Sequence, residues 1–177
     1  MNRTVVWRGA IALVMCLGLS ACQGAPDLER SPQAQVTRAI TGDTLEVQRL
    51  DQPNAILEKV RLLGIDAPDL RQTPWGPQSQ TQLSQWVVGK PVRLEFINPP
   101  RDRRNRLLAY VWQGDMLVNE ALVNNGLALV SPRANGSPYE QKLRHAQSEA
   151  RTLGRGLWDP QQPLRTAPAE FRKTNGF

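Results

Sequence analysis

Histidine and cysteine are both scarce in this chain. Its 177 residues include one histidine, His145, and two cysteines. His145 lies in a segment with a helical pattern, which disfavours a Ser-His-Asp triad, a histidine-bridged zinc site and a histidine general base. No glycine-rich phosphate loop followed by a lysine occurs either. Carboxylates and arginines therefore remain as the side chains that could carry chemistry.

Both cysteines lie in the first 22 residues, which form a distinct segment. Arg3 and Arg8 precede the apolar stretch "GAIALVMCLGLSA", and "LSAC" ends it at Cys22. This pattern predicts a secretory signal over residues 1–22, too short in its apolar part for a membrane span. The ending resembles the lipobox of bacterial lipoproteins, which implies a lipid on Cys22 and an extracytoplasmic, membrane-anchored protein. A plain signal peptide or an uncleaved anchor is the alternative.

The remaining chain predicts one domain between two tails. Residues 23–33 have the composition of a linker, and residues 161–177 form a C-terminal tail. Between them, residues 34–160 alternate strand and helix patterns: two strands around Gly42-Asp43, the strand "ILEKVRLLGI", a helix, the strands "PVRLEFI" and "LLAYVWQ", then two helices. Five strands interrupted by a helix favour an α+β domain, a five-stranded barrel of the oligonucleotide-binding (OB) type with about three packed helices.

Acids and arginines cluster at the predicted strand ends. Asp43 lies in the first turn, Arg61 begins the apolar run of the third strand, and Asp66 and Asp69 follow that run. If these ends converge in a barrel, the carboxylates repel one another unless a cation lies between them, and oxygen ligands favour Ca²⁺ or Mg²⁺. The arginines within residues 101–106, "RDRRNR", could bind phosphate. Ordinary turn carboxylates and a solvated basic loop are the alternatives.

Several separated strings carry a resemblance to one family. "ITGDTLEV", "VRLLGIDAPDL", "NRLLAYVW", "MLVNEALVNNGLALV" and "LRHAQSEARTLGRGLW" resemble the staphylococcal nuclease family in order and spacing, over about residues 35–160. "PAEFRK" near the end is similar to the C-terminal motif of bacterial relatives. The resemblance implies calcium-dependent hydrolysis of DNA and RNA, and it implies these roles: Asp43, Asp66 and the Ala67 carbonyl for calcium, Arg61 and Arg106 for phosphate, and Asp69 for the attacking water.

The sequence also departs from the family pattern. Asp69 stands where the family usually has Glu and is shorter by about 1.5 Å, so we expect reduced activity. Thr41 stands where relatives often have another acid. "SPRAN", residues 131–135, lacks the tyrosines that stack on a base, and arginine charge could substitute. The arginines concerned are Arg101, Arg103, Arg104 and Arg133.

Two other kinds of protein remain open at this point. One is a catalytically inactive OB-fold lipoprotein that binds nucleic acid or another polyanion, with salt-sensitive affinity and no turnover. The other is a structural lipoprotein whose basic loop meets anionic lipid. We expect a monomer with no protein partner in each case.

Overall fold

The computed structural model describes residues 31–51 and 56–176. The predicted signal over residues 1–22, Cys22 and most of the predicted linker lie outside the described residues, so these remain predictions. Within the described part of the chain, no helix is both long and apolar enough to cross a membrane.

Five strands close into a barrel. The strands are β1 (Gln33–Thr41), β2 (Thr44–Arg49), β3 (Leu57–Leu62), β4 (Ile65–Asp66), β5 (Pro91–Arg101), β6 (Leu107–Gln113), β7 (Met116–Leu117) and β8 (Leu129–Val130). In the larger sheet the order is β3-β2-β1-β5-β6-β7, and a parallel pairing of β3 with β6 closes the ring. This arrangement confirms the predicted OB-type barrel.

In the described part of the chain, four helices accompany the barrel: α1 (Trp75–Val87), α2 (Val118–Asn124), α3 (Glu140–Thr152) and α4 (Pro168–Thr174). The first three correspond to the predicted helices. The fourth lies within residues 161–177, the segment predicted as a C-terminal tail.

Alternating side chains of the strands fill the barrel. Leu45 and Val47 of β2 are fully buried, as are Val60 of β3 and Leu94 of β5. Burial of such side chains contributes about 1.5–3 kcal/mol each. The alternation fixes the register of each strand, since a slip by one residue would turn the apolar face outward.

Strand register brings the polar turn residues together. Thr44 of β2 pairs with Arg61 of β3, and the Leu62 amide donates to the Asp43 carbonyl over 2.9 Å. The preceding residue, Gly42, packs closely against α1: a Cβ added at Gly42 would lie 2.4 Å from the Ser79 Cβ. The first turn is therefore pressed against the end of β3.

A buried asparagine links three parts of the domain. Asn119 of α2 is fully buried; its Oδ1 accepts from the Val111 amide over 2.9 Å, and its Nδ2 donates to the Leu63 carbonyl over 2.8 Å. These bonds satisfy two backbone groups that would otherwise be buried without partners. They hold the chain after β3 against β6 and α2, and so help to position β4.

Candidate active site

A largely buried guanidinium joins two carboxylates at the end of β3. Arg61 Nη1 lies 2.8 Å from Asp43 Oδ2, and Arg61 Nη2 lies 3.1 Å from Asp66 Oδ1. The Arg61 side chain is 12% exposed, and it also donates to the carbonyls of Leu62 and Ile65. The structure thus brings Asp43, Arg61 and Asp66 together. A charged network this well buried needs such pairing to be tolerated.

Asp43 is surrounded by donors. Its Oδ2 accepts from the Ala67 amide over 2.8 Å, and its Oδ1 accepts from the hydroxyls of Thr41 and Thr44 over 3.0 and 3.1 Å. With 6% of the residue exposed, Asp43 does not fit the alternative of an ordinary solvated turn. Thr41, found where the family resemblance implied an acid, donates a hydrogen bond to Asp43.

Electrostatics at Arg61 reflect burial and neighbouring charge. Burial lowers the pKa of the Arg61 guanidinium, while Asp43 and Asp66 oppose that change. Arg106 and Arg172 lower the same pKa further, because their positive charges lie close enough to Arg61 to repel it. Because guanidinium remains protonated in proteins, Arg61 is a permanent cation in the site.

Asp69 lies at the edge of the site, but its carboxylate has another partner. Oδ1 accepts from the backbone amide of Arg71 over 3.0 Å and from its Nε over 2.9 Å. The hydrogen bond from the Arg71 guanidinium lowers the pKa of Asp69 below its ordinary value. Asp69 is therefore a weak base that faces a cation on the protein itself.

Arg106 is held in place by its own loop. Its Nε donates to Asp102 Oδ2 over 2.8 Å, and its Nη2 lies 2.7 Å from the same oxygen. Asp102 Oδ1 also accepts from the backbone amides of Arg104 and Arg106, and Asn105 adopts a φ of 58° in this tight turn. The carboxylate therefore orders both the loop and the guanidinium.

These residues open onto one cleft of about 1340 Å³. Asp43, Arg61, Asp66, Asp69 and Arg106 all line it, so the chain segments that carry the sequence-predicted site residues meet at one place. Arg101, Arg103, Arg104 and Arg133 line the same cleft.

The four outer arginines differ in their partners. Arg101 pairs with Glu58 and donates to the Asn105 carbonyl, so part of its role is to hold the loop. Within residues 31–51 and 56–176, Arg103, Arg104 and Arg133 form no ion pair with an acidic side chain. Together with Arg101, they give the cleft a positively charged lining.

One side chain of the site was not assigned from the sequence. Arg172 of α4 reaches across the cleft, with Nη2 at 2.5 Å from Asp66 Oδ1 and Nη1 donating to the Ala67 carbonyl over 3.4 Å. The "PAEFRK" string was the signal that pointed to this segment. It gave no indication that its arginine returns to the carboxylates.

The oxygen atoms of the site fit a hard divalent cation. Asp43, Asp66, the Ala67 carbonyl and the Thr41 hydroxyl supply oxygen only, the donor type that Ca²⁺ prefers. One guanidinium contacts both Asp66 Oδ1 and the Ala67 carbonyl, so these two atoms already face a shared position for positive charge. Among the described residues, no group of three or more His, Cys, Asp or Glu side chains forms a metal cluster. Water would have to complete the coordination.

The fold and cleft together define a class of protein: an OB-type barrel with a guanidinium-rich cleft suited to phosphate esters. Residues 59–160 match the family model described as "Staphylococcal nuclease homologue". Among similar proteins is the thermonuclease of Staphylococcus intermedius, 32% identical over 70% of this chain and 74% of that protein. The thermonuclease of Staphylococcus hyicus is 30% identical over the same shares.

An uncharacterized endonuclease of Escherichia coli O157:H7 is also similar, with 37% identity over 73% of this chain and 79% of the relative. The chain belongs to the staphylococcal nuclease family, as its sequence motifs indicated. It is a phosphodiester hydrolase by that membership.

Proposed function

We propose that this protein is a calcium-dependent nuclease that hydrolyses DNA and RNA outside the cytoplasm. The observation that carries the proposal is Arg61, a largely buried cation that bridges Asp43 and Asp66 where they line the cleft. An arginine in this position can bind the scissile phosphate while the carboxylates hold a divalent ion.

The two inner arginines are proposed to bind phosphate oxygens. A guanidinium presents paired donors in a plane that matches phosphate geometry, and its charge stabilises the charge that develops in phosphoryl transfer. Arg61 is fixed by the barrel, and Arg106 is fixed by Asp102. Both guanidinium groups are therefore held at the cleft before the substrate enters.

Asp43, Asp66 and the Ala67 carbonyl would hold the calcium ion. When bound, the ion supplies positive charge that polarises a phosphate oxygen. The Thr41 and Thr44 hydroxyls keep the Asp43 carboxylate oriented through hydrogen bonds to Oδ1.

Asp69 is proposed to orient or deprotonate the attacking water. It lines the same cleft as the inner arginines. Its short side chain, its low pKa and its contact with Arg71 each reduce this contribution. A weak base predicts slow rather than absent hydrolysis.

The outer arginines are proposed to guide the nucleic acid backbone. Arg103, Arg104 and Arg133 recognise phosphate without reading bases, so binding should depend strongly on salt. For single strands, each phosphate contact removed by an Arg→Gln change should reduce the slope of log affinity against log salt by about 0.7. Arg101 should contribute less because Glu58 engages it.

The proposal is tested by hydrolysis of single-stranded DNA and of RNA by purified protein, with calcium and with a chelator. Arg61→Gln and Arg106→Gln should each lower kcat by roughly a hundredfold or more, the scale of losing one preorganised group. Arg38→Gln is the matched control, because Arg38 is an exposed arginine of β1 paired with Glu46. Unchanged hydrolysis by both site variants would refute the assignment.

A binding protein without catalysis is the second candidate. The engagement of Asp69 by Arg71 favours it, since the two hydrogen bonds from Arg71 occupy Oδ1 and leave that oxygen less able to accept a proton from a water. This candidate predicts salt-sensitive binding of DNA with no product in calcium at any protein concentration.

Lipid anchoring through Cys22 belongs to the same proposal and rests on the lipobox-like sequence. Cys22→Ser should move the protein from the membrane fraction to the soluble fraction. Retention of the variant in the membrane fraction would instead favour an uncleaved anchor. We further propose that the protein acts as a monomer without a protein partner.

A further inference from the structure

The last helix ends on the oxygens that the proposed function gives to calcium. Arg172 contacts Asp66 Oδ1 and the Ala67 carbonyl, which are two of the three groups assigned to the ion. The family match ends at residue 160, so Arg172 lies outside the part of the chain that the family model covers.

A divalent ion and the guanidinium cannot both hold these atoms. At 2.5 Å from Asp66 Oδ1, Arg172 Nη2 stands within the distance at which calcium binds a carboxylate oxygen. Two cations at such spacing also repel each other, and Arg61, which contacts the same Asp66 oxygen, already repels Arg172. Calcium at Asp66 therefore requires Arg172 to move.

The attachment of α4 is suited to such movement. The helix has seven residues, Pro168–Thr174. Of these residues only Pro168 is buried. Just before the helix the Gln72 amide donates to the Thr166 carbonyl over 2.8 Å, and the Arg71 guanidinium lies 5.4 Å from the Phe171 ring centroid. Weakly attached segments undock at small free-energy differences.

We propose that Arg172 is a positioning residue that competes with calcium for Asp66 and the Ala67 carbonyl, so that α4 covers the site without calcium and is released when calcium binds. This inference rests on the proposed function, since it takes calcium to bind at these oxygens. Arg172 keeps Asp66 paired in the absence of the ion. Release of α4 also moves one wall of the cleft, because Ala169 and Lys173 line it.

The test is calcium affinity, measured by titration calorimetry on the wild type, Arg172→Gln and Lys173→Gln. Lys173→Gln is the matched control, since it removes one positive charge from the same helix at an exposed residue. We expect Arg172→Gln to bind calcium about tenfold more tightly, within the usual range of coupling between two ligands. The control should change affinity less than about threefold, because exposed charges are screened.

Hydrogen exchange gives a second readout. Backbone amides of α4 should exchange faster when calcium is added to the wild type, with a midpoint at the calcium Kd. In Arg172→Gln they should exchange fast with or without calcium. The inference would be overturned if Arg172→Gln and Lys173→Gln bound calcium with equal affinity, or if exchange of the α4 amides did not change with calcium. Weaker calcium binding by Arg172→Gln would also overturn it, and would indicate that Arg172 only orders Asp66.

Hydrolysis of DNA in the same samples separates this inference from the proposed function. Tighter calcium binding in Arg172→Gln without any hydrolysis supports the competition and refutes the nuclease. Hydrolysis by the wild type, with no difference in calcium affinity between the variants, supports the nuclease and overturns the competition. Calcium that binds none of the three proteins overturns the inference.

Discussion

Lengthening Asp69 by one methylene should increase the rate of hydrolysis. The backbone of Asp69 is fixed: its amide donates to Gln72 Oε1 over 3.0 Å, and its carbonyl accepts from the Gln72 amide over 2.8 Å. Gly76 packs so closely that an added Cβ would lie 2.0 Å from the Asp69 carbonyl oxygen. The loop therefore resists moving inward, and the side chain itself must supply the missing reach.

The size of the effect follows from reach and basicity. A methylene extends the carboxylate by about 1.5 Å, and a misplacement near 1 Å costs on the order of a hundredfold in rate. The longer side chain also leaves the position in which Arg71 Nε donates to Oδ1. Loss of that hydrogen bond raises the pKa toward the ordinary Glu range and gives a stronger base. We expect kcat of Asp69→Glu to rise by about 10- to 100-fold.

The assay is the initial rate of single-stranded DNA hydrolysis at saturating calcium across pH, for the wild type, Asp69→Glu and Asp69→Asn. A base acts only when it is deprotonated, and the pKa of Asp69 lies below its ordinary value of 3.8. The wild-type rate governed by this group should therefore fall only below that pH, and Asp69→Asn should be the slowest of the three. The role of this carboxylate would be refuted if Asp69→Glu were no faster than the wild type and Asp69→Asn hydrolysed DNA at the wild-type rate.

Three further predictions concern stability and the supports of the site. Asn119→Leu leaves a backbone donor and a backbone acceptor buried without partners, so the free energy of unfolding should fall by about 2–5 kcal/mol in urea titrations; a loss below 1 kcal/mol would contradict the role of these bonds. Gly76→Ala forces the Asp69 carbonyl aside, which should lower stability by about 1–3 kcal/mol and lower kcat; wild-type values for both would show that the loop is mobile. The third prediction depends on the pKa of Asp102, which burial raises, but which the hydrogen bonds and charge of Arg106 and the Arg104 amide together lower by more. The stability that Asp102 contributes is therefore present above its ordinary pKa of 3.8 and is lost as pH falls through the folded value. Asp102→Asn should therefore lower the urea midpoint at pH 7 and not at about pH 2; an equal loss at both would contradict the ionic role.

The sequence was sufficient for the barrel and for the convergence of its turn residues. Alternation over β2 and β3 fixes which side chains point inward, and a hairpin at Gly42-Asp43 places the start of β2 beside the end of β3. Once the strands pair, Asp43 and Arg61 must be neighbours. Local pattern and short-range pairing therefore determine this half of the site.

The contact of Arg172 with Asp66 could not be predicted in this way. It joins residues 106 positions apart, through a short helix whose pattern resembles that of an ordinary tail. The partner of Asp69 was missed for another reason: Arg71 is only two residues away, but a turn decides whether two neighbouring side chains meet. Both misses concern ion pairs, whose partners depend on the complete fold rather than on periodicity.

The central claim is tested most directly by cleavage of single-stranded DNA by purified wild type, Asp43→Asn and Arg38→Gln, each in calcium and in a chelator. The account predicts calcium-dependent cleavage by the wild type and by Arg38→Gln, with cleavage by Asp43→Asn reduced by roughly a hundredfold or more. Wild-type cleavage in the chelator, or cleavage by Asp43→Asn at the wild-type rate, would contradict a calcium-dependent nuclease centred on Asp43, Arg61 and Asp66.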